Sequence, residues 1–152
     1  MNQSLTIWPS ATNFASARGR NALEASTVRL LVVDDYEPFR RFVRSTLGKR
    51  PEWQIVGEAA DGLEAVQKAE ELQPDVIVLD VNLPTLNGIE AGRRILKLCP
   101  ECKILFVSQV SSADVVQEAL SLGALGYLVK TRAGVDLIAA VDAVRQGLRF
   151  SR

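Results

Sequence analysis

Three aspartates stand directly after strand-length apolar runs: Asp34 and Asp35 after VRLLVV, and Asp80 after VIVL. A hydroxyl and an amine follow two further runs in the same way, Ser108 after KILFV and Lys130 after GYLV. If the runs are parallel strands, all five side chains fall along one edge of one sheet, because each leaves its strand at the carboxyl end. Three carboxylates gathered without a cation repel one another and raise each other's pKa. A hard divalent ion resolves that conflict. Mg²⁺ takes oxygen ligands, keeps waters and phosphate oxygens in its shell, and needs neither histidine, of which the chain has none, nor thiol. With metal and Lys130 neutralising charge, Ser108 donating a hydrogen bond and a carboxylate as nucleophile, the set can hold and accept a phosphoryl group. Each residue taken singly has a plainer reading as a helix cap or solvated turn. The combination carries the chemistry.

The elements that must position these groups are legible as alternation. From Val28 onward a strand-length apolar run is followed by a helix-length amphipathic segment, repeatedly, which predicts parallel strands joined by crossover helices. The expected strands are residues 28–33, 53–59, 76–79, 103–107 and 126–129. The middle runs are apolar on both faces, as suits a sheet covered by helices on either side. Phe39, Phe42, Val43 and Leu47 mark one helical stripe, Val116, Ala119 and Leu120 another, and Leu137, Ile138, Val141 and Val144 a third. Asp61 and Glu64 have the form of a capping box, and Gly123 stands where a helix should stop. In a sheet of order 2-1-3-4-5 the first and third strands are neighbours at a chain reversal, leaving a crevice at their carboxyl ends. That order would bring Asp34, Asp35 and Asp80 into one cleft.

Composition narrows the function classes. Eighteen basic and eighteen acidic residues cancel, so net charge offers no reason to expect a nucleic acid or an anionic membrane as partner. No apolar run approaches the length of a membrane span, and the first residues lack the basic start and apolar core of a signal peptide, so a cytoplasmic location without membrane contact is expected. Residues 1–27 read as a mobile tail, residues 28–148 as one domain and residues 149–152 as a short C-terminal tail. The last helix is expected to run to about Gln146, which leaves no room for a helix-turn-helix and predicts no sequence-specific DNA binding by this chain. Cys99 and Cys102 form a C-x-x-C. Without histidine or further cysteine they cannot complete a zinc site, and they close a helix rather than open one, so a reading without metal or redox role is preferred.

The set LLVVDD, VIVLDVNLPTLNGIEA, ILFVS and GYLVK, in that order, resembles the receiver domain of bacterial response regulators, over Val28 to about Leu148. GALGYLVKT and VRQGLRF resemble more narrowly the receivers that precede a LuxR-type DNA-binding domain. The resemblance implies an α/β flavodoxin-like fold with a five-stranded parallel sheet and helices on both faces. It implies Asp80 as the phosphorylated aspartate and Mg²⁺ held by Asp34, Asp35, Asp80 and the main-chain carbonyl of Asn82. It makes Ser108 the switch hydroxyl, Tyr127 the switch aromatic and Lys130 the phosphate-contacting lysine. The implied role is a phosphoacceptor, not a classical enzyme, charged by a histidine kinase or phosphotransfer protein and signalling through a homodimer or a downstream protein. Asn87, Gln109 and Thr131 depart from the commonest pattern. Asn87 should keep the loop's turn, Gln109 should narrow access for a phosphodonor, and Thr131 in place of proline makes a cis peptide after Lys130 doubtful. Two enzyme readings on the same sheet are disfavoured. No G-x-G-x-x-G follows the first strand, as a dinucleotide oxidoreductase would need, and Asn82 stands where an aspartate-based phosphatase would want a second acid. An interaction module independent of phosphorylation would have no need of the acids and Lys130.

Overall fold

The apolar runs form strands within a residue of the expected bounds: β1 Val28–Val33, β2 Trp53–Ala59, β3 Val76–Leu79, β4 Lys103–Ser108 and β5 Gly126–Val129. Between and after them lie α1 Glu37–Leu47, α2 Gly62–Leu72, α3 Gly88–Leu98, α4 Ala113–Ser121 and α5 Ala133–Arg145. The structure, a computed structural model, describes residues 27–152. The expectation of a mobile tail over residues 1–27 therefore lies, apart from Thr27, outside the described residues.

Local chemistry sets the helix ends. Asp61 accepts from the Glu64 backbone N–H at 2.8 Å, while the Glu64 side chain reaches back to the Ala60 N–H at 2.8 Å, so the capping box closes one residue further out than its usual form. Asn87 caps α3 by accepting from Glu90 N at 3.0 Å, so the turn survives its departure from the common pattern. Gly123, at φ 120°, ends the run after α4.

The sheet order is β2-β1-β3-β4-β5-β6, all neighbours parallel. The first five strands keep the expected order. The sixth, Phe150–Ser151, corrects the expectation of five strands and a C-terminal tail. After α5 the chain reverses at Gly147, whose φ of 83° suits a residue without Cβ, and returns beside β5. There the Phe150 N–H donates to Leu125 O at 3.1 Å, the Arg152 N–H to Tyr127 O at 3.0 Å, and the Val129 N–H to Arg152 O at 2.9 Å. An open strand edge with unpaired backbone groups is satisfied by the chain's own end.

Alternate residues of each strand feed two cores. Leu31, Val33, Ile77, Leu79, Ile104 and Phe106 meet α2, α3 and α4 through Ala65, Ala69, Ile95 and Ala119. Leu30, Val32, Val76, Val78 and Leu105 meet α1 and α5 through Val43, Leu47, Leu137 and Val141. Burying both faces leaves only the strand ends for polar side chains. Cys99 and Cys102 are buried and joined by a disulfide between the end of α3 and the start of β4, Cα atoms 5.4 Å apart. They are thus a covalent tie at the pole opposite the acids, where the sequence alone suggested no role.

Candidate functional site

At the carboxyl ends of β1 and β3, one carboxylate oxygen from each of Asp34, Asp35 and Asp80 lies within 4.8 Å of the others. The backbone fixes this approach. Asp34 N donates to Ala59 O at 3.1 Å and Asp80 N to Val33 O at 3.1 Å, so both residues are the last rungs of the sheet ladder before their chains turn away. Asp34 and Asp80 are buried, at 1% and 5% exposure, while Asp35 is exposed. Asp34 Oδ1 accepts from Tyr36 N at 2.8 Å, and Asp80 Oδ1 is 3.4 Å from Asn82 N. Behind Asp80, Gly88 N donates to Val81 O at 2.7 Å, and the α carbon of Gly88 lies so close that a Cβ would fall 1.9 Å from Asp80 O. Lys130, leaving β5, spans the cluster, with Nζ 2.7 Å from Asp34 Oδ2 and 3.2 Å from Asp80 Oδ2. An open cleft is lined by Asp35, Tyr36, Asp80, Asn82, Gln109 and Lys130.

Burial pushes the Asp34 carboxyl above its ordinary value, with nearby Asp80 adding to the rise and Lys130 and the Tyr36 N–H opposing it. Burial also works against the Lys130 ammonium, yet Asp34 and Asp80 outweigh it and hold the lysine above its ordinary value, firmly charged. The site therefore carries one fixed cation against three acids. Asp34 Oδ2 is buried, and the Lys130 ammonium, 2.7 Å away, is its close partner. An all-oxygen cluster of three carboxylates with one exposed member and an open side fits a hard divalent cation such as Mg²⁺.

Ser108 ends β4, fully buried, and its Oγ accepts from Val110 N at 3.2 Å. Tyr127 lies inward in the core beside Phe106, ring centroids 6.2 Å apart, and its hydroxyl donates to Val110 O at 2.6 Å. Burial, then the charge of Asp80, raises the Tyr127 phenol, while Ser108 opposes the rise. The two side chains read as a switch pair thus grip the two ends of one residue, Val110. Of the residues expected at the site, Asp34, Asp35, Asp80, Asn82 and Lys130 come together around the cleft. Ser108 and Tyr127 are joined through Val110. No cis peptide occurs among the described residues, in keeping with Thr131 after Lys130.

Four neighbours were not legible as part of the site. Tyr36, 62% exposed, stands at the cleft mouth. Phe39 lies under Lys130, with Nζ 4.5 Å from its ring centroid. Arg40 and Arg44, with the spacing of an ordinary solvated face, converge on Glu58, and Arg40 also donates to the Asp34 carbonyl at 2.7 Å. The only sequence signal was their proximity to Asp34 and Asp35, since Glu58 arrives from another strand.

The family model for the response regulator receiver domain matches residues 30–142. The transcriptional regulatory protein DegU of Brevibacillus brevis is 38% identical over 120 residues, covering 79% of this chain and 51% of that protein. The DNA-binding transcriptional activator DevR/DosR of Mycobacterium tuberculosis is 40% identical over 120 residues, covering 79% and 55%. The chain thus spans about half the length of these curated relatives. Among solved structures, a LuxR-family two-component response regulator from Aurantimonas sp. aligns with TM-score 0.78 and 34% identity over 82% of this chain and 89% of that one. The response regulator domain of Thermotoga maritima CheB aligns with TM-score 0.73 and 34% identity, over 79% and 97%.

Proposed function

Because this chain belongs to the response regulator receiver family of two-component systems, we propose that it accepts a phosphoryl group on Asp80 from a histidine kinase or phosphotransfer protein. The observation that carries the reading is the convergence of three carboxylate oxygens within 4.8 Å under a lysine that touches two of the acids. An Asp80 oxygen attacks phosphorus in line. The P–N bond of the donor phosphohistidine breaks, its imidazole takes up a proton, and an acyl phosphate forms. Asp34, Asp35, Asp80 and the Asn82 carbonyl would hold Mg²⁺, which supplies charge neutralisation on the transferring oxygens. Lys130 neutralises the phosphoryl charge from the other side, its ammonium held charged by Asp34. Ser108, withdrawing its hydroxyl from Val110 N toward the phosphoryl group, would release the N–H side of Val110. Tyr127 grips the other end, so the message passes to β5, α4 and their surface. Moving such a switch from mostly off to mostly on asks the phosphoryl group to prefer one state by about 5.5 kcal/mol.

The output then travels by protein contact, through a homodimer or a downstream protein, and not by sequence-specific DNA reading by this segment. Balanced charge of eighteen against eighteen supports that reading, since DNA readers need a basic footprint. No helix among the described residues is long and apolar enough to cross a membrane, which accords with a cytoplasmic role. The test is incubation with acetyl phosphate and Mg²⁺ followed by intact mass. The parent should gain one phosphoryl mass and Asp80→Asn none. Labelling of Asp80→Asn at the parental level would sink the assignment.

A further inference from the structure

Lys130 reaches the acids from a bend in the chain. β5 ends at Val129, and Lys130–Arg132 coil at once into a 3-10 turn, so the backbone leaves the site where the side chain must return to it. A lysine side chain has nearly the greatest rotamer freedom of any residue, and left to itself it would spend that freedom in water. Yet this one is only 14% exposed. Asp34 and Asp80 meet the ammonium at 2.7 and 3.2 Å, and the ring of Phe39 meets it at 4.5 Å from the centroid. The ring is itself anchored. It sits in the first turn of α1, tilted against Phe42 with centroids 5.6 Å apart, and packs on the core beneath α1 and α5.

An aromatic face suits this position better than another acid. The ring quadrupole attracts the cation without neutralising it, whereas a fourth carboxylate would add to the repulsion around Asp80 and compete with the phosphoryl group for the ammonium. A leucine of similar bulk would exclude water without attracting the charge. Resting on the reading of Asp80 as phosphoacceptor, we propose that Phe39 is a positioning residue for phosphoryl transfer, its ring face holding the Lys130 ammonium over Asp80 with its charge free for the incoming group.

The test compares the full chain with Phe39→Leu and Phe39→Met, which lack a ring face, and Phe39→Tyr, which keeps one. Two ring-less variants guard against one failing to fold. Ring current should shift the Lys130 ε-methylene protons upfield of those of the other lysines in the parent and Phe39→Tyr, and not in the ring-less variants. With acetyl phosphate at saturating Mg²⁺, mass gain in the ring-less variants should slow roughly 2- to 30-fold, the span of cation–π contacts from exposed to desolvated, with Phe39→Tyr near the parental rate. Mg²⁺ affinity by calorimetry should stay unchanged, since Phe39 offers no oxygen ligand and the three acids that would hold the ion remain. An unshifted Lys130 in the parent, parental rates in the ring-less variants, or equal slowing in Phe39→Tyr would each overturn the proposal. If the parent itself takes up no phosphoryl group, the Asp80 reading fails and the positioning role falls with it, while the proton shift still reports whether the ring holds the ammonium.

Discussion

Gly88→Ala places one methyl group between α3 and the phosphoacceptor strand end. The added Cβ would stand 1.9 Å from Asp80 O and 2.8 Å from both Asp80 C and Val81 Cα. These are backbone atoms, so no side chain can swing aside, and the gap must open by roughly 1.5 Å to reach ordinary contact distance. Overpacking of this kind costs about 1–3 kcal/mol. Opening the gap also stretches the Gly88 N–H to Val81 O bond, now 2.7 Å, which adds about 1 kcal/mol. At about 3–6 °C per kcal/mol for a domain of this size, thermal unfolding followed by circular dichroism should fall by roughly 10 °C. The same displacement moves Asp80, and a misplacement of about 1 Å can slow phosphoryl uptake on the order of 100-fold. Gly134→Ala is the control. Nothing lies within 4 Å of its added Cβ and it sits in α5, so it should leave the melting temperature unchanged or raise it by a few degrees, by up to about 1 kcal/mol. A Gly88→Ala protein melting within about 2 °C of the parent, or an equal drop in Gly134→Ala, would refute the close-approach reasoning.

Other perturbations probe the site's charge. In metal-free buffer Asp34→Asn should melt above the parent near neutral pH. A native pKa raised above the ordinary 3.8 means that Asp34 lends stability below that value and loses it as pH rises through the native pKa, so the difference should shrink on acidification toward 3.8. A variant less stable than the parent at neutral pH would contradict this. Lys130, raised above 10.5, should keep its contribution up to that pH and lose it only beyond, so Lys130→Met should cost stability at pH 8 and less at alkaline extremes. Mg²⁺ at a hundredfold excess over its Kd should stabilise the parent by about 2.7 kcal/mol, and Asp35→Ala should abolish most of that gain in a calorimetric melt. Tyr127→Phe removes the donor to Val110 O and should cost about 1 kcal/mol, read as an earlier urea midpoint, while leaving uptake of the phosphoryl group on Asp80 intact.

Much of this molecule was legible as pattern. The inner strand runs were assigned almost residue by residue because strands buried on both faces read as continuous apolar runs, whereas the edge strand β2 is only partly buried. Asp34, Asp35, Asp80 and Lys130 were legible for the same reason, being the first polar residues after such runs. The sixth strand was not. Phe150–Ser151 is too short to carry a period, and its place follows from the unpaired edge of β5 and the reversal at Gly147. Arg40 and Arg44 read as a solvated face because their partner, Glu58, lies on β2 and no spacing within α1 announces it. Cys99 and Cys102 lie close enough in sequence to pair, but whether their side chains face each other depends on how α3 hands over to β4.

Ser108, Tyr127 and Phe39 draw the line between the two kinds of information. The sequence by itself determined the residue types available at the carboxyl edge, and hence the chemistry of acids, one ammonium and one hydroxyl, because parallel strands with apolar faces admit polar groups only at their ends. Only the tertiary structure decided that Ser108 and Tyr127 both bond the backbone of Val110 and that the Phe39 ring lies beneath Lys130. Those contacts join residues from separate elements, and their distances are set by how far each helix and loop leans over the sheet. Helical spacing reports which face of an element is buried, but not which atoms of a neighbouring element it meets.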